Sequence, residues 1–324
     1  MRIGTRGSAL ALAQARLVAG RLGETEIVVV RTRGDIMHDH PNGSNNGRGK
    51  QTRGDDKSRW VAELEQALLS NEIDLAVHSA KDIPVELTDG MELLGSPTRA
   101  AAEDALIGAR SLEKLPEGAC VGTSSVRRAA QLRAARADLQ VVSLRGNIDT
   151  RLRKLASAVT ASGDGSGGGE SSLHAIVLAK AGLFRLGRES DIGCTLDAAR
   201  FVPAPGQGAL GLQARAGDTI VRGSVEGILD KDASTCLRAE RAVAHALGAS
   251  CNTPLGAHAS PAGCGCLLLR AWVGLPDGSE WVGDELLGGF YDPEKLGRRM
   301  AERLEGVGAR ELLRRAEEMA VEES

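Results

Sequence analysis

The sequence predicts an α/β protein: two similar domains of alternating strands and helices, followed by a smaller α+β domain. Three observations carry this. Strand-like and helix-like segments alternate through the first half, and the same order of elements repeats from about residue 120. From about residue 215 the pattern gives way to a helix, a hairpin signal and two closing helices.

Arg2-Ile3-Gly4-Thr5 reads as a short strand, and Ser8 as the N-cap of an Ala/Leu-rich helix running to about Leu22. Residues 26–30 form a buried strand. Residues 60–69 form an amphipathic helix, because their apolar positions recur at three and four. Residues 73–78 are a third strand, ending in Ser79-Ala80-Lys81-Asp82-Ile83-Pro84. The second round has a strand at 120–123, a cap at Ser124-Ser125 and a helix from Val126 to about Arg136. A strand at 139–143, a helix at 149–156 and a strand at 174–179 complete it. Short echoes accompany the repeat: Gly4-Thr5 answers Gly122-Thr123, and Arg33-Gly34-Asp35-Ile36 answers Arg145-Gly146-Asn147-Ile148. In the third unit, a helix over 234–247 leads into Gly248-Ala249-Ser250-Cys251-Asn252-Thr253-Pro254. Segments 266–273 and 280–283 flank the turn Pro276-Asp277-Gly278, and helices start near Pro293 and Ala309.

Two segments stand apart. Residues 38–59 are almost wholly polar, a length that marks a lid or a disordered loop, and residues 163–172 are a Gly-rich insertion.

Composition excludes several function classes. The 324 residues carry 40 Lys+Arg against 43 Asp+Glu, a net charge of -3, which argues against a binder of nucleic-acid backbone. Three Trp, three Phe and one Tyr are too few for a base-stacking surface. No apolar run approaches the roughly 20 residues of a membrane span, and the N-terminus enters a strand without a signal-peptide core. The expectation is a soluble cytoplasmic protein with no nucleic-acid or membrane partner. Within the basic set, 32 are Arg and 8 are Lys. Genome composition favours Arg, and so does a cleft that grips carboxylates through bidentate guanidinium forks.

Six scattered cysteines in a chain of this type do not suggest a disulfide framework. Cys264-Gly265-Cys266 puts two thiols on one face of an apparent strand, but no second pair stands at zinc spacing, and His38-Asp39-His40 has no partner motif. No metal site is expected.

Chemistry is expected at the strand-to-helix turns, where unpaired N–H groups and the helix dipole attract anions. Arg6 with Ser8, Ser124-Ser125 with Arg127-Arg128, and Arg145 with Arg151 all occupy such positions, while Ser8 and Ser125 also cap helices. Asp82, at a strand end among these cations, is a candidate acid/base or cation-stabilising group, with an ordinary turn Asp as the alternative. Gly206-Gln207-Gly208-Ala209-Leu210-Gly211 fits a dinucleotide fingerprint, but it follows Pro203-Ala204-Pro205 rather than a strand, so a nicotinamide site is discounted. Cys251 could be an attachment thiol, a nucleophile or a packed residue; no His–Asp relay surrounds it.

Taken together, these pieces resemble the hydroxymethylbilane synthase (porphobilinogen deaminase) family over essentially the whole chain. The resemblance rests on Gly4-Thr5-Arg6-Gly7-Ser8, Thr32-Arg33-Gly34-Asp35, His78-Ser79-Ala80-Lys81-Asp82-Ile83-Pro84-Val85 and Gly122-Thr123-Ser124-Ser125-Val126-Arg127-Arg128. It continues through Leu144-Arg145-Gly146-Asn147, Pro205-Gly206-Gln207-Gly208-Ala209, and Glu240-Arg241 followed by Ser250-Cys251-Asn252-Thr253-Pro254-Leu255-Gly256. It implies two domains of the type-II periplasmic-binding-protein kind and a third, smaller one. On this chain they would be 1–96 with 197–214, then 97–196, then 215–324. It also implies a dipyrromethane held by a thioether to Cys251, onto which four porphobilinogen units are deaminated and joined before hydroxymethylbilane is released.

By this resemblance Asp82 is catalytic; Lys81, Ser125, Arg127, Arg128, Arg145 and Ser8 hold the cofactor; and Arg6, Arg151, Lys57 and Trp60 meet substrate. A monomer is implied. Two departures stand out: Ala249 where the family has Gly, and Lys57-Ser58-Arg59-Trp60 where its active-site loop has Gly-Lys-Gly-Leu-Phe. A solute receptor built on the same domain pair is the rival reading; the Cys251 loop and the missing signal sequence count against it.

Overall fold

The computed structural model describes residues 1–30, 55–163, 173–250 and 253–322. Its backbone is organised around three sheets. The first contains β1 (Arg2–Thr5), β2 (Glu26–Val29), β3 (Leu75–Ser79), β4 (Met91–Gly95) and β10 (Leu210–Arg215), in the order β2-β1-β3-β10-β4. β1 runs parallel to β2 and β3, and β10 is antiparallel to both its neighbours. The second contains β5 (Asp104–Ile107), β6 (Cys120–Gly122), β7 (Gln140–Val142), β8 (Leu173–Ala179) and β9 (Cys194–Leu196), in the order β7-β6-β8-β5-β9. Here β5 is the antiparallel member. Strand for strand the two sheets match, so the repeat legible in the sequence is a repeat of topology.

They differ in when the antiparallel strand is made. In the second sheet it comes first; in the first sheet it comes last, after the whole second sheet has been laid down. The chain therefore crosses between them twice, over residues 96–103 and 197–209. These crossings touch: Ala100 N donates to Gly208 O at 3.2 Å, and Arg99 Nε to Gln207 O at 2.9 Å.

Helices α1 (Ala9–Leu22), α2 (Asp55–Leu69) and α6 (Thr219–Glu226) flank the first sheet; α3 (Val126–Ala135), α4 (Ile148–Gly163) and α5 (Lys180–Arg185) flank the second. Ser8 caps α1, its Oγ accepting from Ala11 N at 3.3 Å, and Ser125 caps α3 through Arg128 N at 3.4 Å. Both caps stand where the sequence puts them, because capping is decided within a few residues. Val221 and Val225 of α6 pack with Ile3, Leu75 and Leu212 in the first core, so the chain serves that core beyond residue 214.

The third unit is a meander of β11 (Leu255–Pro261), β12 (Cys266–Gly274) and β13 (Trp281–Gly289), covered on one face by α7 (Lys231–Ala246), α8 (Pro293–Gly306) and α9 (Ala309–Glu322). The closing helices begin at the two residues read from sequence; Pro293 occupies the first turn of α8, where its missing N–H costs nothing, and Asp292 caps it. The Cys264–Cys266 expectation is corrected: Cys266 starts β12, but Cys264 lies in the preceding turn with φ 51, so the thiols do not share a strand face.

Candidate active site

In parallel α/β sheets the loops after the strands line one edge, and here the two edges face each other across a cavity of about 1330 Å³. The end of β1 supplies Arg6 and Ser8, the end of β3 supplies Lys81 and Asp82, and α2 contributes Trp60. Across the cavity lie Ser124, Ser125, Arg127 and Arg128 at the start of α3, Arg151 on α4 and Arg185 on α5. The third unit closes one side with Arg241, Ala249, Ser250 and Thr253. Among the described lining residues, the cations Arg6, Lys81, Arg127, Arg128, Arg151, Arg153, Arg185 and Arg241 face two carboxylates, Asp82 and Asp149.

The cations are fixed from behind. Asp104, wholly buried at the start of β5, accepts from Arg127 Nη2 and Arg128 Nε, both at 2.8 Å. Burial alone would raise its pKa, but the two guanidiniums outweigh burial and hold it at about 2. One carboxylate serving two guanidiniums leaves a surplus positive charge at the cavity wall. Arg127 Nε is buried with no hydrogen-bond partner among the described residues, a donor suited to an anionic ligand. Burial, reinforced by the charge of Arg128, pushes Arg151 down to about 10; burial likewise pushes Arg185 to about 10. Both stay cationic at neutral pH.

Gln207 ties the halves together at the second crossing. Its Nε2 donates to Ala102 O at 2.6 Å and Asp104 Oδ1 at 2.9 Å, while its Oε1 accepts from Lys81 Nζ at 3.3 Å and Arg128 Nη2 at 3.2 Å. The flanking glycines are steric necessities. Gly206 (φ 74) would place a Cβ 3.0 Å from Ala80, and Gly208 (φ 85) would place one 2.4 Å from Ala100 O. The glycines of the apparent dinucleotide fingerprint thus admit the backbone of the neighbouring segments at the second crossing.

Glu240 and Arg241 on α7 join the third unit to the rest. Glu240, fully buried, takes Arg99 Nη1 at 2.6 Å and Nη2 at 3.2 Å, with Gly206 N and Ala259 N each at 2.7 Å. Arg241 donates to the carbonyls of Ile83, Pro84 and Val85, just after Asp82. The same helix leads into the Ser250–Thr253 loop, where Ser250 N donates to Thr253 Oγ1 at 2.8 Å.

Of the residues singled out from sequence, Arg6, Ser8, Trp60, Lys81, Asp82, Ser125, Arg127, Arg128 and Arg151 all line this cavity. Arg145 does not: it is exposed, and the chain turns at Gly146 (φ 119) before Asn147 and Arg151 reach the lining. Trp60 lines the cavity with one face of its ring covered by the Arg6 guanidinium, 3.7 Å from the centroid. Lys57 falls in the first turn of α2, and its side chain lies outside the described residues, as does Cys251 itself. None of the described cysteines lines the cavity, and burial pushes the thiol of Cys236 up to about 12. Arg153 and Arg185 escaped the sequence reading, and Gln207 and Arg241 entered it as motif residues without a place in the site, since only the fold brings them to the cleft.

Beneath Asp82, His78 is buried on β3. Gln213 Nε2 is committed to Glu65 Oε1 at 2.6 Å, so Gln213 Oε1 accepts from His78 Nε2 at 2.9 Å; Thr88 Oγ1 caps the row on Glu65 Oε2 at 2.5 Å. Burial pushes the His78 pKa from 6.5 to about 4, against the pull of the Gln213 hydrogen bond. Between these values the unfolded chain takes up a proton that the folded one refuses. Stability therefore falls as pH drops through that window, by about 3 kcal/mol in all. Urea unfolding at pH 7 and pH 4.5 should show this loss, reduced in His78→Gln; an unchanged pH slope in that variant would contradict it.

A family model described as porphobilinogen deaminase, dipyromethane cofactor binding domain, matches residues 1–223. Another, described as the porphobilinogen deaminase C-terminal domain, matches residues 234–306. A protein named porphobilinogen deaminase from Thiobacillus denitrificans is 42% identical over 319 residues, covering 96% of this chain and 97% of that one. Its namesake from Thermus thermophilus is 41% identical over 319 residues, with 96% and 97% covered. A solved putative methionine-binding lipoprotein from Bacillus subtilis aligns at 10% identity over 70% of this chain and 89% of that one, with a TM-score of 0.36.

Proposed function

The chain belongs to the porphobilinogen deaminase family, a transferase with hydroxymethylbilane synthase activity, and we propose that its reaction runs in the cationic cleft with Asp82 as the catalytic group and Cys251 as the anchor. One observation carries this reading: the arginine-bearing edges of both sheets, Asp82, and the residues on either side of Cys251 all converge on one cavity.

The donor set fits the dipyrromethane cofactor. A pyrrole carrying acetate and propionate groups needs several cationic partners, and the described lining supplies eight cations with an unsatisfied Arg127 Nε among them. Arg127, Arg128, Lys81, Ser125 and Ser8 would hold its carboxylates, and Cys251 would hold its carbon through a thioether. When bound, the cofactor supplies the nucleophilic pyrrole carbon onto which porphobilinogen is joined.

The chain's own residues do the rest. Arg6 and Arg151 take the carboxylates of incoming porphobilinogen, each charge-assisted pair contributing about 1.5–3 kcal/mol. Asp82 gives a proton to the departing amine, the C–N bond breaks, and nitrogen leaves as ammonia. The Asp82 carboxylate then faces the positive charge left on the substrate ring and takes up the proton released as the new bond forms. Arg241 holds the backbone after Asp82, so this carboxylate keeps its position relative to the anchoring loop.

We further read three domains bounded as above except that the first takes in α6, whose Val221 and Val225 pack in its core, and a monomer in the cytoplasm. An anchoring thiol that must stay unoxidised until its thioether forms suits a reducing compartment. Intact-mass measurement tests the function. Protein incubated with porphobilinogen should carry a covalent adduct and release hydroxymethylbilane; protein that never gains mass overturns the reading.

A further inference from the structure

The hairpin between β12 and β13 ends against the last turn of α3, far from the cavity. Arg133 in that turn forks: Nη1 donates to Pro276 O at 2.7 Å and Nη2 to Val141 O of β7 at 3.1 Å. Gly278 (φ 75) approaches so closely that an added Cβ would stand 2.5 Å from Ala134 N and 2.7 Å from Arg133 Cβ. Nearer the sheet, Trp272 of β12 is 6% exposed and packs on Ala130 and Ala134 of α3, one turn apart, together with Val202 of the second crossing. The indole is backed by Trp281, with ring centroids 6.4 Å apart, and by Gly274, where a Cβ would stand 2.5 Å from the ring.

α3 is thus a rod of ten residues, about 15 Å long, held at both ends. Its N-terminus presents Ser125, Arg127 and Arg128 to the cavity. Its C-terminus is clamped by the unit that carries the thiol-bearing loop. We infer that the β12–β13 hairpin is a strut setting the distance and angle between that loop and the basic end of α3, with Arg133 and Gly278 as positioning residues for elongation. Neither residue lines the cavity. A tethered chain samples only positions within reach of its anchor. Hence the alignment of the carboxylate grip with the anchor decides how well each round proceeds, and a misplacement of a fraction of an ångström is costly.

This inference rests on the cleft being the elongation site, so the test separates the two. Arg133→Met keeps the aliphatic stem and removes both donors; Arg133→Lys keeps one donor within reach of Pro276 O. In Arg133→Met, intact mass should show the cofactor attached as in the parent protein. The porphobilinogen KM should rise about tenfold with a smaller change in kcat. The ladder of covalent adducts formed at limiting porphobilinogen should shift in chain length. Amide hydrogen exchange should speed up in residues 275–280 and in the last turn of α3, and Arg133→Lys should recover part of each change. A parental KM and adduct ladder in Arg133→Met would overturn the strut, as would faster exchange spread across the whole second sheet. If Arg133→Met fails to fold, Gly278→Asn, which tolerates the left-handed φ and wedges the turn off α3, must show the same shifts; parental behaviour there overturns it equally. Absence of any adduct on the parent protein would refute the cleft reading instead.

Discussion

Asp82→Asn is expected to fold like the parent chain and to lose between about 10²- and 10⁴-fold in the rate of porphobilinogen consumption, the range lost with a general acid/base. The substitution is nearly isosteric. Asp82 is half-buried, in the single turn of 3₁₀ helix after β3, and Ile83 and Pro84 are gripped by Arg241 whatever residue 82 is. On the proposed mechanism, what disappears is the proton for the departing amine and the negative charge opposite the substrate cation. In barrier terms the loss is about 3–5 kcal/mol. Single-turnover assays with thermal unfolding as the control decide it: a rate within a few-fold of the parent, in a protein of parental stability, moves the chemistry to another group. The second carboxylate of the lining, Asp149, would then be examined first.

Cys251→Ala should abolish activity outright, because no other described thiol faces the cavity. The variant should fold normally, bind porphobilinogen weakly and show the mass of the bare chain under every condition. The hydrogen bonds Ser250 N to Thr253 Oγ1 and Thr253 N to Ser250 O do not involve residue 251. An adduct persisting in Cys251→Ala would place the anchor on another cysteine. Turnover without an adduct would show that tethering is dispensable.

What the sequence discloses and what it hides follow from the range of the forces. Ser8 and Ser125 are legible as caps, and Pro293 as a helix start, because each depends on neighbours within one turn. β4, β5, β9, β10 and β11 are not legible. They are short or glycine-containing, and their partners are remote: Leu212 pairs with Val77, Ala105 with Leu178. The cleft is half legible for the same reason. Arg6, Asp82, Arg127 and Arg128 follow strands directly, whereas Arg185 and Arg241 reach it only through tertiary packing. Arg145 is exposed and outside the cavity lining, with the turn at Gly146 between it and the lining residues Asn147 and Arg151. Cys264 misleads because three successive left-handed residues, Gly263, Cys264 and Gly265, interrupt what reads as a strand.

The placement of β10 has a consequence for the order of synthesis. It lies between β3 and β4, yet it follows them by more than a hundred residues, after every strand of the second sheet. As the chain emerges, the first sheet has a missing rung, and the facing edges of β3 and β4 carry unpaired N–H and C=O groups. The strands of the second sheet are contiguous in the chain from Asp104 to Leu196 and pair only with one another. The unit begun second can therefore be finished first. Asp82, at the tip of β3, gains its sheet support when β10 pairs Leu210 with Ser79, closing the sheet that opened the chain.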